Sequence, residues 1–143
     1  MSTLSKKIDF AILISVENAN PNGDPLCGNR PREDYDGYGE ISDVCLKRKI
    51  RNRLIDMNEP VFVQSNDHRV DSYKSLKARA EGCEELKKAS NGKDTDQDEF
   101  ARIACEQWMD VRSFGQVFAF KGDKVSVGVR GPCLLYTSPS PRD

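Results

Sequence analysis

The chain has 143 residues, of which 37% are hydrophobic and 31% charged, with 22 Lys and Arg against 23 Asp and Glu and a formal net charge of −1. That length holds one small domain at most. The balanced charge excludes a uniformly basic nucleic-acid binder, so any affinity for polyanions must come from local segregation of charge.

Other function classes fall away with the same reading. No apolar run approaches the roughly 20 residues of a membrane span, and residues 1–7 lack the apolar core of a secretory signal. Cys27, Cys45, Cys83, Cys105 and Cys133 show no paired short spacing, and His68 has no cysteine within ligand-motif distance. These features predict a cytoplasmic protein with free thiols, without metal, cofactor or membrane contact.

Residues 8–16 (Ile-Asp-Phe-Ala-Ile-Leu-Ile-Ser-Val) form a nearly continuous β-prone run and predict a first, central strand. The loop that follows, residues 18–41, is rich in Gly, Pro and Asn and longer than ordinary connections, which signals function or disorder. Its X-Pro-X turns and Tyr35 and Tyr38 favour order. A loop of this kind can offer backbone N–H groups to a phosphate chain, and it can equally be a plain surface loop.

Ser42 is a good N-cap, Asp43 suits the first turn, and Leu46, Ile50, Leu54 and Met57 recur at helical spacing, predicting a helix packed behind the strand. Its residues 47–53 hold five cations, and the spacing puts Lys47, Arg48 and Arg51 on the solvent side. Such a face can follow phosphates or can simply be solvated.

Residues 61–64 read as a short strand, and residues 65–99 as a polar, weakly helical insertion broken at Gly82. Residues 91–98 lack the spacing of a calcium loop. A second core helix is predicted over about residues 99–110, from Phe100, Ile103, Ala104, Gln107 and Trp108. A strand over 111–120, a turn at 121–124 and a strand from Val125 towards Gly131-Pro132 complete the pattern.

Candidate chemistry is sparse. Only His68 is available as a base for a nucleophile, and it sits in a polar loop. Asp24 could assist attack by a ribose 2′-OH or could hydrogen-bond its own turn. No Gly-Lys-Ser/Thr follows the Gly-rich loop, so a triphosphate site is not supported.

Five blocks carry a resemblance: Asn18-Ala19-Asn20-Pro21-Asn22-Gly23-Asp24-Pro25; Asn29-Arg30-Pro31-Arg32; Ser42-Asp43-Val44 with Leu46-Lys47-Arg48-Lys49-Ile50-Arg51; Asp110-Val111-Arg112-Ser113-Phe114-Gly115-Gln116; and Gly128-Val129-Arg130-Gly131-Pro132. In this order, over about residues 8–132, they resemble the backbone subunit of the type I-C CRISPR Cascade complex, a member of the RAMP superfamily.

The resemblance implies an α/β (α+β) fold: an RRM-like, ferredoxin-type palm with an inserted finger segment at about 65–99. It also implies a non-catalytic subunit that polymerises along CRISPR RNA with copies of itself and other Cascade subunits, for pairing with target DNA in antiviral defence. Carried over, the RNA-holding positions are Asn20, Asn22, Gly23, Arg30, Arg32, Lys47, Arg48, Arg51, Arg112, Phe114 and Arg130. Related type III subunits cut RNA, which would make Asp24 catalytic; an interaction domain without RNA is a third reading.

The family chain is longer, so residues 1–132 are expected to be the N-terminal part of the palm. Residues 133–143 look like a translated sequencing adaptor, and the sheet is expected to be incomplete, with Ile12, Ile14, Val127 and Val129 along an exposed edge.

Overall fold

A β-prone run becomes a strand only where a second strand takes up its backbone N–H and C=O groups. The computed structural model describes residues 5–90, 96–120 and 126–135, and within it residues 8–16 have no strand partner. They carry no regular secondary structure, and Ile8, Phe10, Ile12, Leu13, Ile14 and Val16 are exposed. The predicted central strand is therefore absent among the described residues, because strong local propensity lacks the long-range pairing it needs. The described residues form two compact units, one reaching Ile41 and one beginning at Ser42.

The first unit is built around a short antiparallel hairpin of β1 (Gly23–Asp24) and β2 (Arg30–Pro31), in which Gly23 faces Pro31 and Asp24 faces Arg30. Asp24 starts the connection: its Oδ1 accepts the N–H of Leu26 at 2.9 Å and caps a 3₁₀ turn over Pro25–Cys27. Gly28 and Asn29 then adopt left-handed φ values of 65° and 59°, and the N–H of Asn29 returns to the carbonyl of Asp24 at 2.8 Å. Glycine and asparagine are the residues that tolerate this conformation.

A second turn follows. Oδ1 of Asp34 accepts from the N–H groups of both Asp36 and Tyr38, and Arg32 pairs with Glu40 at 2.7 Å. The long loop is thus an ordered, internally bonded structure.

The second unit opens with α1 (Asp43–Asp56), whose N-cap Ser42 accepts the N–H of Cys45 through Oγ at 3.3 Å. The predicted strand at 61–64 is not formed. Val61 and Phe62 are instead buried in an irregular segment, and side chains rather than a neighbouring strand take up its backbone groups.

Helices α2 (Leu76–Glu81) and α3 (Glu84–Ser90) are separated at Gly82, as the sequence predicts. Then come α4 (Gln97–Gln107), an extended break at Trp108, and α5 (Met109–Phe114). The strand expected over 111–120 thus begins only at Gly115: β3 (Gly115–Phe118) pairs antiparallel with β4 (Val127–Arg130), Gly115 opposite Arg130 and Phe118 opposite Val127. Mixed helices and small antiparallel sheets make this an α+β protein.

Phe62, Leu86, Phe100, Trp108, Val111 and Phe118 lead one core, with the Phe118 ring 4.9 Å from that of Phe62 and 5.2 Å from that of Phe100. Ala80 and Leu86 place α2 and α3 within that core. Val127 and Val129 alternate inward on β4 and are buried, which corrects their expected place on an exposed edge. Ile12 and Ile14 are exposed, but they lie outside any described strand and so line no sheet edge. The predicted turn at 121–124, most of the 91–98 loop, residues 1–4 and residues 136–143 lie outside the described residues.

Candidate nucleic-acid interface

The first unit holds five of the sequence-predicted positions. Nδ2 of Asn20 donates to the carbonyl of Asn29 at 2.8 Å, which ties the approach to β1 to the turn. Asn22 donates through Nδ2 to the carbonyl of Gly23, and its own carbonyl accepts the N–H of Arg32. A side chain at Gly23 would run into Asn29, so glycine here answers a close approach. Arg30 is exposed on β2. Arg32 is held by Glu40, a carboxylate hydrogen bond that raises its pKa.

In this hairpin the two asparagines shape the backbone, and Arg30 is the cation left to the surface. Asp24, the alternative cutting residue, spends a carboxylate oxygen on the N–H of Leu26.

The second unit brings three predicted residues together. Nζ of Lys47 lies 5.8 Å, and the guanidinium carbon of Arg51 5.3 Å, from the centre of the Phe114 ring. Residues from two separate sequence blocks thereby form one aromatic–cation cluster. Lys47 is also paired with Asp43 one turn earlier at 2.8 Å, and this bond lowers the Asp43 pKa.

Helical spacing predicts Arg51 in solvent, but its side chain is only 14% exposed and its Nε bonds Oδ2 of Asp110 at 2.9 Å. The most enclosed face of α1 therefore carries Arg51 and buried Ile55, while Leu46, Ile50 and Leu54 are half-buried and Met57 is exposed. A hydropathy stripe assigns every arginine to water; a counter-charge in the core reverses that assignment.

Arg48 stands apart from this cluster, bonded to Asn52 at 2.9 Å and to Asp67 at 3.5 Å. Arg112 is half-buried, with Nη2 3.0 Å from Sδ of Met109. Arg130 is exposed on β4. Sequence reasoning places Asp110 only within a motif and misses what it does: fully buried, it also accepts the N–H of Phe62 at 2.7 Å and of Val63 at 3.0 Å. The one signal in the sequence is a single carboxylate flanked by Trp108 and Val111 in an otherwise core-forming stretch.

Among the described residues, no helix is long and apolar enough to cross a membrane, and no cluster of three or more His, Cys, Asp or Glu is arranged to hold a metal ion.

The profile of the family CRISPR-associated protein Cas7 matches residues 6–140. A curated relative from Haloferax volcanii, named CRISPR-associated protein Cas7, is 31% identical over 127 residues, which cover 85% of this chain and 34% of the relative. The chain thus spans about a third of the length of the curated relative it matches. Since the matched region takes in the loop hairpin, the basic helix and the Phe114 block alike, the chain belongs to the Cas7 family of CRISPR-associated proteins.

Proposed function

We propose that this chain is the N-terminal, RRM-like part of a non-catalytic backbone subunit of a type I-C Cascade complex, and that it holds CRISPR RNA in the cytoplasm. On this reading, copies of the subunit polymerise along the guide with other Cascade subunits and leave its bases to pair with target DNA. Residues 133–143 are read as a non-native tail. The observation that carries the proposal is the meeting of Lys47, Arg51 and Phe114: paired cations on an aromatic face suit the phosphates and bases of a single strand, where contacts to the backbone carry no sequence preference. The ordered hairpin with exposed Arg30 supports it from the other unit.

The test is retention of a mixed-sequence single-stranded RNA by the full chain across a salt series. Each neutralised phosphate contributes about 0.7 to the slope of log K against log salt, so replacing both Lys47 and Arg51 by Gln should flatten it by roughly 1.4. An unchanged slope would move the phosphate path elsewhere. Cleavage of the bound RNA by the parent, abolished in Asp24→Ala, would favour the ribonuclease alternative.

A further inference from the structure

The proposed contacts leave the buried carboxylate of Asp110 without a role, yet it reaches the cluster directly. Arg51 meets it through Nε alone. Among the described residues neither terminal nitrogen of Arg51 has a hydrogen bond of its own, and neither is a buried unsatisfied atom. The guanidinium is therefore fixed at one corner, laid against the Phe114 ring at 5.3 Å, and left with its two-nitrogen fork unspent.

Half-buried Arg48 is a contrast: its Nε and Nη2 are both engaged, with Asn52 and Asp67. A guanidinium offers five N–H donors in rigid geometry, so an anchor at Nε orients the others. A fork ordered before the ligand arrives also avoids much of the rotamer entropy that a free arginine loses on binding.

We propose that Asp110 is a positioning residue for anion recognition: by holding Arg51 at Nε, it presents the Nη1/Nη2 fork, pre-oriented on Phe114, to a phosphate of single-stranded RNA. This rests on the RNA-binding reading above and adds to it a residue that does not itself touch RNA. Its anchorage is firm, because the N–H groups of Phe62 and Val63 bind the same carboxylate and set its orientation. The second cation on the ring, Lys47, has no such buried anchor and is tied to half-exposed Asp43.

The experiment measures Kd of the full chain for a mixed-sequence single-stranded RNA, with emission of the single Trp108 as the control for folding. A lysine at position 51 has one ammonium, which can pair with Asp110 or reach a phosphate but cannot do both. Arg51→Lys should therefore weaken binding nearly as much as Arg51→Met, by about tenfold, the scale of one charge-assisted hydrogen bond. Arg53→Lys, an exposed change on the same helix, should leave Kd unaltered.

Asp110→Asn should weaken binding comparably, and adding Arg51→Met to it should cause little further loss. The Nε–H resonance of Arg51 should be protected from exchange in the parent and lose that protection in Asp110→Asn. If Asp110→Asn does not fold, the comparison of Arg51→Lys with Arg51→Met decides alone. Parental affinity in Arg51→Lys, or fully multiplicative losses in the double variant, overturns the positioning role and leaves RNA binding standing. A parent that retains no RNA overturns both.

Discussion

Asp110 and Arg79 both hold the backbone of Phe62: the carboxylate of Asp110 accepts its N–H at 2.7 Å, and Nη1 of Arg79 donates to its carbonyl at 2.8 Å. Both side chains are buried, and each has its own counter-charge, Arg51 for Asp110 and Asp71 for Arg79. A strand would have satisfied this backbone through a neighbouring strand. Here two charged side chains do so, which lets Phe62 enter the core against Trp108 from an irregular segment. The same arrangement links the core to the Arg51–Phe114 cluster, so the stability of the core and the geometry of the candidate site share one carboxylate.

That sharing sets the first expected outcome. Asp110→Ala strands the buried N–H of Phe62 and the half-buried N–H of Val63 and leaves Arg51 unpaired, and breaking a buried pair in this way costs about 3–5 kcal/mol. Arg51→Met should cost less, because both peptide donors keep their acceptor. Urea unfolding followed by Trp108 emission checks the order; equal losses would mean that the peptide bonds contribute little.

The Asp71–Arg79 pair sets an acid limb. Arg79 donates to both oxygens of Asp71, at 2.7 and 2.9 Å, and this bonding lowers the Asp71 pKa against the opposing effect of burial. A carboxylate with a depressed folded pKa binds protons less readily folded than unfolded, so its contribution is complete above the unfolded value of about 3.9. It is lost as pH falls below that value and through the lower folded one. Asp71→Asn should therefore reduce the slope of stability against pH below about 4. An acid limb identical to the parent's would show that Asp71 titrates alike in both states.

The parts of the fold that are legible in the sequence are those fixed within a few residues. Ser42 capping α1, the break at Gly82, the apolar spacing of α4 and the alternation in β4 all depend on near neighbours. What is not legible depends on partners far along the chain. Residues 8–16 have strand composition but no described partner, and Phe62 and Val63 are held by Asp110, 48 and 47 residues away. Arg51 escapes its predicted place for the same reason, its partner being 59 residues distant. At the candidate site the residue types are readable as a group. Which of them share a cluster and which are engaged elsewhere is not, since that depends on α5 folding where a strand is expected.

Residues 8–16 give a contrasting stability outcome. Leu13 is 99% exposed, so Leu13→Lys should change unfolding free energy by no more than about 0.5 kcal/mol. Phe62 is fully buried, and Phe62→Ala should cost about 3–5 kcal/mol. A large loss from Leu13→Lys in the same urea assay would show that this apolar run is covered in solution.

The last outcome concerns the close approach beside Phe114. Gly115 has φ 78° and ψ 169°, a region essentially reserved for glycine, and it leads from α5 into β3. A Cβ there would lie 2.5 Å from the carbonyl oxygen of Val129 and 2.7 Å from the backbone nitrogen of Gly131. Neither atom belongs to a flexible side chain that could yield. Gly115→Ala thus combines backbone strain of about 1–3 kcal/mol with a collision inside the β3–β4 ladder. Gly128 lies in the same ladder, and a methyl group added to it would meet nothing within 4 Å, so Gly128→Ala is the matched control and should be close to neutral. Because Phe114 immediately precedes Gly115, the damage should also reach the candidate site: Gly115→Ala should weaken RNA retention even at temperatures where Trp108 emission shows a folded core. Equal stability of the two alanine variants would mean that the ladder can shift to make room, and that the position of the Phe114 ring does not depend on this glycine.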